Sequence, residues 1–184
     1  MKATGIVRRI DDLGRIVIPK EIRRTLRIRE TDPLEIYTEK TGEIVLKKYS
    51  PVGEIVEFAK DYADSLASTT GQIVCITDRE QIIAATGNLK KELISKPITK
   101  ELEEFIEQRT PVVANDSSKG GINIVEDKDI HLQIFAQALC PIISEGDALG
   151  AVVMLAKDEK QKYTNSEKML VVSAADFIGK QMQA

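Results

Sequence analysis

The side chains of this chain best suited to chemistry are cations gathered near the N-terminus. Between Gly5 and Leu26 the sequence reads GIVRRIDDLGRIVIPKEIRRTL, and its basic residues are Arg8, Arg9, Arg15, Lys20, Arg23 and Arg24, flanked by Lys2, Arg27 and Arg29. Guanidinium and ammonium groups bind anions, and arginine offers paired donors that match phosphate and base edges. So dense a run of cations predicts contact with a polyanion.

The net charge of the whole chain conceals this concentration. The 184 residues carry a net charge of −3. Residues 1 to 50 hold 12 basic and 8 acidic residues, a net charge of +4, whereas residues 51 to 184 hold 14 and 21, a net charge of −7. Because the local field steers a polyanion, the acidic total does not exclude nucleic acid. The alternative interpretation is a solvated charged face.

Local sequence signals place the first arginines around a turn between two strands. The alternation of residues 6 to 10 predicts a strand with Arg8 on one face and Arg9 on the other, so that one of them lies beside a core. The sequence Asp-Asp-Leu-Gly at residues 11 to 14 predicts a turn in which Gly14 takes a positive φ. We interpret the two acids as turn residues that position nearby arginines, and residues 15 to 18 as a second short strand.

A short helix follows that strand. Pro19 has a fixed φ that suits the first position of a helix, and residues 20 to 26 are helix formers. At about 3.6 residues per turn, Ile22 and Leu26 share one side of this helix. The opposite side carries Arg23, Arg24 and Arg27. One side is therefore predicted to contact the protein and the other an anion.

In the order of its charged, turn and apolar residues, the segment resembles the N-terminal domain of the AbrB-like transition-state regulators, through residues 1 to 50. The resemblance implies a swapped-hairpin β-barrel, all-β with a short helix, in which two chains interleave as a dimer that binds double-stranded DNA. The family's DNA-contacting positions correspond to Arg8, Arg9, Arg15, Arg23 and Arg24, with Lys2, Lys20 and Arg27 as further candidates. The whole chain is similar to members of this family that act in the forespore as activators and repressors of sporulation genes.

Two further strands complete the N-terminal region. Residues 34 to 38 and 43 to 48 alternate as a hairpin with one buried face. About 50 residues bury too little surface to be stable alone, which favours a dimer. We place the domain boundary at Tyr49, Ser50 and Pro51, followed by a very short linker, so that residues 1–50 and 51–184 form two domains.

The second region shows the periodicities of an α+β domain. We predict helices at residues 52–67, 99–108 and 165–182, a helical turn at 89–94, and strands at 72–77, 81–85, 111–114, 122–125, 132–139 and 148–155. This order of elements resembles a GAF domain, a fold that senses small molecules. The resemblance implies an unidentified small-molecule ligand. The similarity of the whole chain to the family implies a tetramer of two N-terminal dimers, joined through their C-terminal domains. The first and last helices of this domain carry more apolar surface than one sheet face needs, so we expect them to make this contact; the alternative is that the extra surface packs within its own domain. The complete chain is thus expected to have a mixed fold.

We find no arrangement typical of catalysis, of a metal site or of a cofactor. His131 is interpreted as a surface or interface position, and the glycine-rich run 117–121 as a mobile loop, since it lacks phosphate-loop spacing. Asp11 and Asp12 have no third ligand at metal spacing. Cys75 and Cys140 lie in apolar runs outside any CxxC spacing, and we expect buried, reduced thiols.

These observations predict a transcriptional regulator that is not an enzyme. No apolar run is long enough to span a membrane and no signal peptide is recognised, so we expect a soluble, cytoplasmic protein. One alternative is an antitoxin of the MazE type, which shares the N-terminal fold but has a short, acidic, disordered tail. A second alternative is a metabolite receptor or enzyme whose main role lies in the second domain.

Overall fold

The computed structural model describes residues 5–49, 56–115, 120–126 and 133–182. The chain divides into two compact units, Met1–Tyr49 and Ser50–Ala184. We call them the head unit and the body unit. Lys2, His131, residues 117–119 and the linker at residues 50–55 were all considered in the sequence, and they lie outside the described residues.

The head unit contains a short helix and a β-hairpin. Helix α1 covers Lys20–Thr25, and strands β1, Leu34–Thr38, and β2, Ile44–Lys48, pair antiparallel with Ile36 opposite Leu46. The helix and both hairpin strands are confirmed. The buried face predicted for the hairpin is not formed in the single chain, because Ile36 is 66% exposed and Leu46 is 42% exposed.

The strands predicted at residues 6–10 and 15–18 do not form in the single chain, so this prediction is wrong for one copy. A strand needs a hydrogen-bonded neighbour. Around the turn that joins these two segments, the Asp11 amide donates to the Arg15 carbonyl at 3.1 Å, but no ladder of strand hydrogen bonds continues from it. The expectation that Arg8 or Arg9 lies beside a core is also wrong for one copy, since both are exposed and no described head residue is buried.

The body unit is built on a five-stranded antiparallel sheet with strand order β4-β3-β7-β6-β5. Its strands are β3 (Ile73–Thr77), β4 (Ile82–Ala85), β5 (Val112–Ala114), β6 (Ala136–Ser144) and β7 (Asp147–Ala156). The long hairpin of β6 and β7 closes in a turn at Glu145 and Gly146, between the paired residues Ser144 and Asp147. Near-continuous burial of β3, β4, β6 and β7 reflects helices on both faces of the sheet.

Two apolar cores lie on opposite faces of this sheet. On one face pack α2 (Val56–Thr70) and α5 (Asn165–Gln181), around residues such as Ala59, Val152 and Ile178. On the other pack a 3-10 turn (Gly87–Leu89), α3 (Lys90–Leu93) and α4 (Lys100–Gln108). The α+β architecture is therefore as predicted.

Two strand predictions in the body unit need correction. Residues 122–125 form no strand, only an isolated bridge between Ile98 and Val125. The side-chain amide of Gln137 bonds the backbone of Ile122 in both directions, at 2.9 Å and 3.1 Å, and so takes the place of a neighbouring strand. The strand predicted at 132–139 begins at Ala136 and continues without a break through Pro141 to Ser144.

The predicted helix starts and buried thiols are confirmed. Thr99 caps α4 by accepting from the Leu102 amide at 3.1 Å, and Thr164 caps α5 in a capping box with Glu167. Cys75 and Cys140 are buried and free. Burial raises the pKa of Cys75 to about 12 and that of Cys140 to about 11, so both remain thiols at neutral pH.

Candidate nucleic-acid interface

The turn at residues 11–15 is held by the carboxylate of Asp11. One oxygen of this side chain accepts the amides of Leu13, at 3.0 Å, and Arg15, at 2.8 Å. The Gly14 amide donates to the Asp11 carbonyl at 3.0 Å, and Gly14 has the positive φ, +77°, that its position in the turn predicts. Backbone and side chain together fix where this turn presents Arg15.

The second oxygen of Asp11 binds the Arg15 side chain. Arg15 Nε donates to Asp11 Oδ2 at 2.8 Å, in an ion pair whose arginine side chain is 68% exposed. Hydrogen bonds from the Arg15 backbone and side chain lower the pKa of Asp11, so this carboxylate stays ionised throughout the neutral range. The prediction that turn acids position an arginine is confirmed at this pair.

Helix α1 presents its cations in two directions. Lys20 and Arg24, one turn apart, are exposed, whereas Ile22 and Arg23 are half-buried. The sequence placed Arg23 on the outer side with Arg24, and the structure turns Arg23 towards its own unit. Leu26, expected beside Ile22 on the inner side, is 56% exposed in the single chain.

A reversal of the chain after α1 explains the position of Arg23. Arg27 takes a left-handed conformation with φ of +51°, and the Ile28 amide then donates back to the Arg23 carbonyl at 2.7 Å. This brings Glu30 to the arginine, whose Nη1 donates to Glu30 Oε1 at 3.2 Å. Arg23 Nε is buried without a hydrogen-bond partner in the described part of the chain. Glu30 was not singled out in the sequence, because it lies beyond the helix and follows no helical spacing.

The structure therefore sorts the predicted interface residues into three groups within one compact unit. Arg15 and Arg23 each have a carboxylate partner, from Asp11 and Glu30. Arg27 is exposed and engaged within the chain. The remaining four are exposed and have no hydrogen bond or ion pair of the side chain to another described residue, namely Arg8, Arg9, Lys20 and Arg24.

Apolar side chains of the head unit are exposed around these cations. They come from the turn-flanking segments, from the end of α1 and from the hairpin: Ile6, Val7, Ile10, Leu13, Ile16, Val17, Leu26, Ile36, Tyr37, Ile44, Leu46 and Tyr49. An exposed apolar surface of this extent on a small unit is typical of an interface. One copy of the head unit therefore lacks a completed core.

The described residues of the body unit show no group of side chains typical of a metal site. Among the described residues, no three His, Cys, Asp or Glu side chains are grouped as a metal would require. Buried polar side chains such as Thr77 and Thr86 accept backbone amides of neighbouring strands. No described helix is long and apolar enough to cross a membrane.

The body unit also decides the family. Residues 54–183 match the family model described as stage V sporulation protein T C-terminal, transcription factor. The chain belongs to the stage V sporulation protein T family. A member from Bacillus subtilis (strain 168), stage V sporulation protein T, is 48% identical over 183 residues, which cover 100% of this chain and 99% of the relative.

The head unit has relatives beyond the stage V sporulation protein T family. Transition state regulatory protein AbrB of Bacillus subtilis (strain 168) is 44% identical over 100 residues, covering 50% of this chain and 97% of that protein. Residues 7–54 match the model described as antidote-toxin recognition MazE, bacterial antitoxin. The AbrB-like resemblance inferred from residues 1 to 50 is thereby confirmed.

The body unit has the GAF fold that its order of elements predicted. The GAF domain of a phosphoenolpyruvate-protein phosphotransferase from Coxiella burnetii superposes with a TM-score of 0.57 at 16% identity, covering 70% of this chain and 82% of that one. At this identity the likeness concerns the fold alone. The chain thus combines an AbrB-like head unit with a GAF-like body unit in a mixed fold.

Proposed function

We propose that the chain regulates transcription of sporulation genes, as activator and repressor, by binding double-stranded DNA through its head unit. Residues 1–50 form the DNA-binding domain, residues 51–184 form a regulatory and oligomerisation domain, and neither is an enzyme. The resemblance to sporulation regulators supports the forespore as the setting. The proposed DNA-binding residues are Arg8, Arg9, Arg15, Lys20, Arg23, Arg24 and Arg27.

The observation that carries this proposal is the group of exposed cations without acidic partners, Arg8, Arg9, Lys20 and Arg24. A cation that is not neutralised within its own chain releases counterions when it meets a phosphate, and this supplies most of the affinity for DNA. Contacts to base edges then supply specificity. Because α1 has only six residues, we expect DNA shape and deformability to share in selecting the site.

We further propose that two head units associate as one DNA-binding dimer. No described residue between 5 and 49 is buried, although many are large and apolar. Residues 6–10 and 15–18, which carry a strand pattern, have neither strand neighbours nor a core in one copy. A second copy interleaved as in a swapped-hairpin barrel supplies both, and it doubles the set of cations offered to DNA.

Exposed apolar side chains on α5 support pairing of the body units. Phe177 of α5 lies with its ring centroid 5.4 Å from that of Phe58 and 5.4 Å from that of Tyr62, both on α2. Phe177 nevertheless remains 39% exposed, and Met169 on the same helix is 58% exposed. We propose that a second body unit covers this surface, so that two dimers make a tetramer with bivalent binding.

The test of DNA binding is single alanine substitution of Arg8, Arg9 and Arg24. Each is expected to weaken binding of the full chain to promoter duplexes and to reduce the slope of log affinity against log salt by about 1 for each phosphate that the variant no longer neutralises. Lys91→Ala is the matched control, since it removes one exposed cation from the body unit. Equal affinities for all four variants and the parent would contradict the proposal.

The folded body unit weighs against the antitoxin alternative. Residues 56–182 contain a five-stranded sheet with helices on both faces, in place of a short disordered tail. Sensing of a small molecule by the GAF-like body remains a prediction. A shift in the thermal unfolding of the full chain with a panel of metabolites would identify such a ligand.

A further inference from the structure

Arg15 differs from Arg23 in the guanidinium atom that binds its carboxylate partner. Its Nε is bound to Asp11 Oδ2 at 2.8 Å, whereas Arg23 is bound to Glu30 through Nη1. Among the described residues Asp11 is the partner of the Arg15 side chain, and 68% of that side chain is exposed. Neither Nη group of Arg15 has a hydrogen bond to a described residue.

A guanidinium group has two edges that each carry a parallel pair of donors. One edge combines Nε with one Nη, and the other combines the two Nη groups. Because Asp11 occupies Nε, the edge that remains to Arg15 is the pair of Nη groups. That pair matches the two acceptors of guanine, O6 and N7, in the major groove.

Asp11 also changes what Arg15 contributes to affinity. The carboxylate stays ionised beside the guanidinium, so the pair as a whole carries no net charge. A neutralised arginine adds little to counterion release, which is the sequence-independent part of DNA binding. Its directed donors still discriminate between bases.

The same carboxylate fixes the turn that carries Arg15. Asp11 Oδ1 accepts the Leu13 and Arg15 amides, while the Asp11 amide donates to the Arg15 carbonyl at 3.1 Å. The guanidinium is thus anchored at both its backbone and its Nε. An arginine held at both ends loses less conformational freedom when it binds a base.

We propose that Asp11 is a specificity-determining positioning residue, which holds Arg15 by Nε so that its two Nη groups read a guanine while its charge is offset. This inference rests on the proposed function, because it assigns a role within the same DNA-binding surface. Asp11 acts through Arg15 and does not itself contact the base. Arg8, Arg9 and Arg24, which have no carboxylate partner in the described residues, supply affinity instead.

The test compares Asp11→Asn with Asp12→Asn in the full-length chain. Both variants remove one acid from the same turn, and Asn at position 11 keeps an oxygen that can accept the two turn amides. Asp12 is exposed and has no hydrogen bond or ion pair of its side chain to a described residue, so it controls for charge alone. Circular dichroism and thermal unfolding verify that each variant is folded.

Two duplexes serve as probes, one selected by the parent chain from a random library and one of scrambled sequence. Asp11→Asn is expected to lower the ratio of selected to scrambled affinity about tenfold, while binding to the scrambled duplex stays equal or rises. Asp12→Asn is expected to leave this ratio unchanged. Replacing the guanines of the selected duplex by 7-deazaguanine, which lacks N7, should weaken the parent and have a smaller effect on Asp11→Asn.

Combining Asp11→Asn with Arg15→Lys tests whether Asp11 acts on specificity through the Arg15 side chain or only through the structure of the turn. Arg15→Lys keeps the charge and removes the paired donors, so adding Asp11→Asn to it should lower the specificity ratio no further. The inference is overturned if Asp11→Asn changes both duplexes equally, as Asp12→Asn does, or if its effect persists beside Arg15→Lys. If the parent selects no duplex from the library and does not bind the scrambled one, the proposed function fails as well, and that result is distinct from either of these.

Discussion

At the scale of single residues, the structure separates cations that are predicted to act in the same way. Arg23 and Arg24 are neighbours in sequence and equal in charge. Arg23 is 30% exposed in its side chain and paired with Glu30, whereas Arg24 is exposed and has no acidic partner among the described residues. Sequence periodicity alone assigned both to the same side of the helix.

We therefore predict that Arg23→Ala destabilises the head unit and Arg24→Ala does not. Loss of the Glu30 pair and of the half-buried Arg23 stem should lower the free energy of unfolding by on the order of 1 kcal/mol. For Arg24→Ala the change should stay within about 0.5 kcal/mol, as for other surface substitutions. Calorimetry of the full chain measures both, and equal stability of the two variants would contradict this assignment.

Turn chemistry was more predictable than side-chain pairing. Gly14 and Asp11 have functions that their residue types imply, because positive φ and the acceptance of nearby amides are local properties. The pairing of Arg23 with Glu30 depends on the left-handed backbone conformation of Arg27, which the residue types at this point of the sequence do not predict. Helical or strand periodicity in the sequence cannot predict contacts that such a chain reversal creates.

At the scale of elements, α5 lies in close contact with the sheet at a glycine. A Cβ at Gly179 would lie 2.2 Å from the carbonyl oxygen of Ile143 in β6, nearer than any atom can approach without movement of the backbone. Gly179 is buried in the last turns of the helix, where glycine costs about 1 kcal/mol relative to alanine. Close packing of helix on strand thus outweighs helix propensity at this position.

Gly179→Ala is accordingly expected to destabilise the body unit by about 1 to 3 kcal/mol, despite the higher helix propensity of alanine. Ser173→Ala on the same helix is the control, because Ser173 is exposed and the substitution should be neutral or slightly stabilising. Urea unfolding followed by far-UV circular dichroism measures both. A Gly179→Ala chain as stable as the parent would show that α5 can shift at no cost.

The strand predictions show where alternation is ambiguous. Residues 122–125 alternate like a strand but are held by the Gln137 side chain, since an amide can satisfy backbone groups as a strand does. Pro141 interrupts the pattern of β6 without interrupting the strand. Proline has no backbone amide to donate to a neighbouring strand. Strand β5 pairs only with residues 137–139 of β6, so at Pro141 that side of β6 has no described strand that would need such a donor.

At the scale of the whole molecule, the absence of two predicted strands from the single head unit supports the proposal that the head folds as a dimer. Residues 6–10 and 15–18 carry a strand pattern but form no strand in a single copy. Folding and association of the head should then be one event. The midpoint of its thermal unfolding is expected to rise with protein concentration. A midpoint constant over a hundredfold dilution would contradict the proposed dimer.

The proposed tetramer depends on the apolar surface around Phe177. Phe177→Glu places a charge on this surface and is expected to convert a tetramer into a dimer, as measured by sedimentation equilibrium. Lys91→Glu, which changes an exposed charge on α3 across the sheet, should leave the mass unchanged. A variant Phe177→Glu that remains a tetramer would refute this interface.

The most direct test of the account is the salt dependence of DNA binding by the full-length chain. If two head units neutralise ~6 to 10 phosphates, the affinity for a selected duplex should fall by about three to five orders of magnitude between roughly 50 and 200 mM salt. A linear plot of log affinity against log salt with that slope is the predicted result. An affinity that barely changes over the same range would contradict the claim that the cationic head binds DNA.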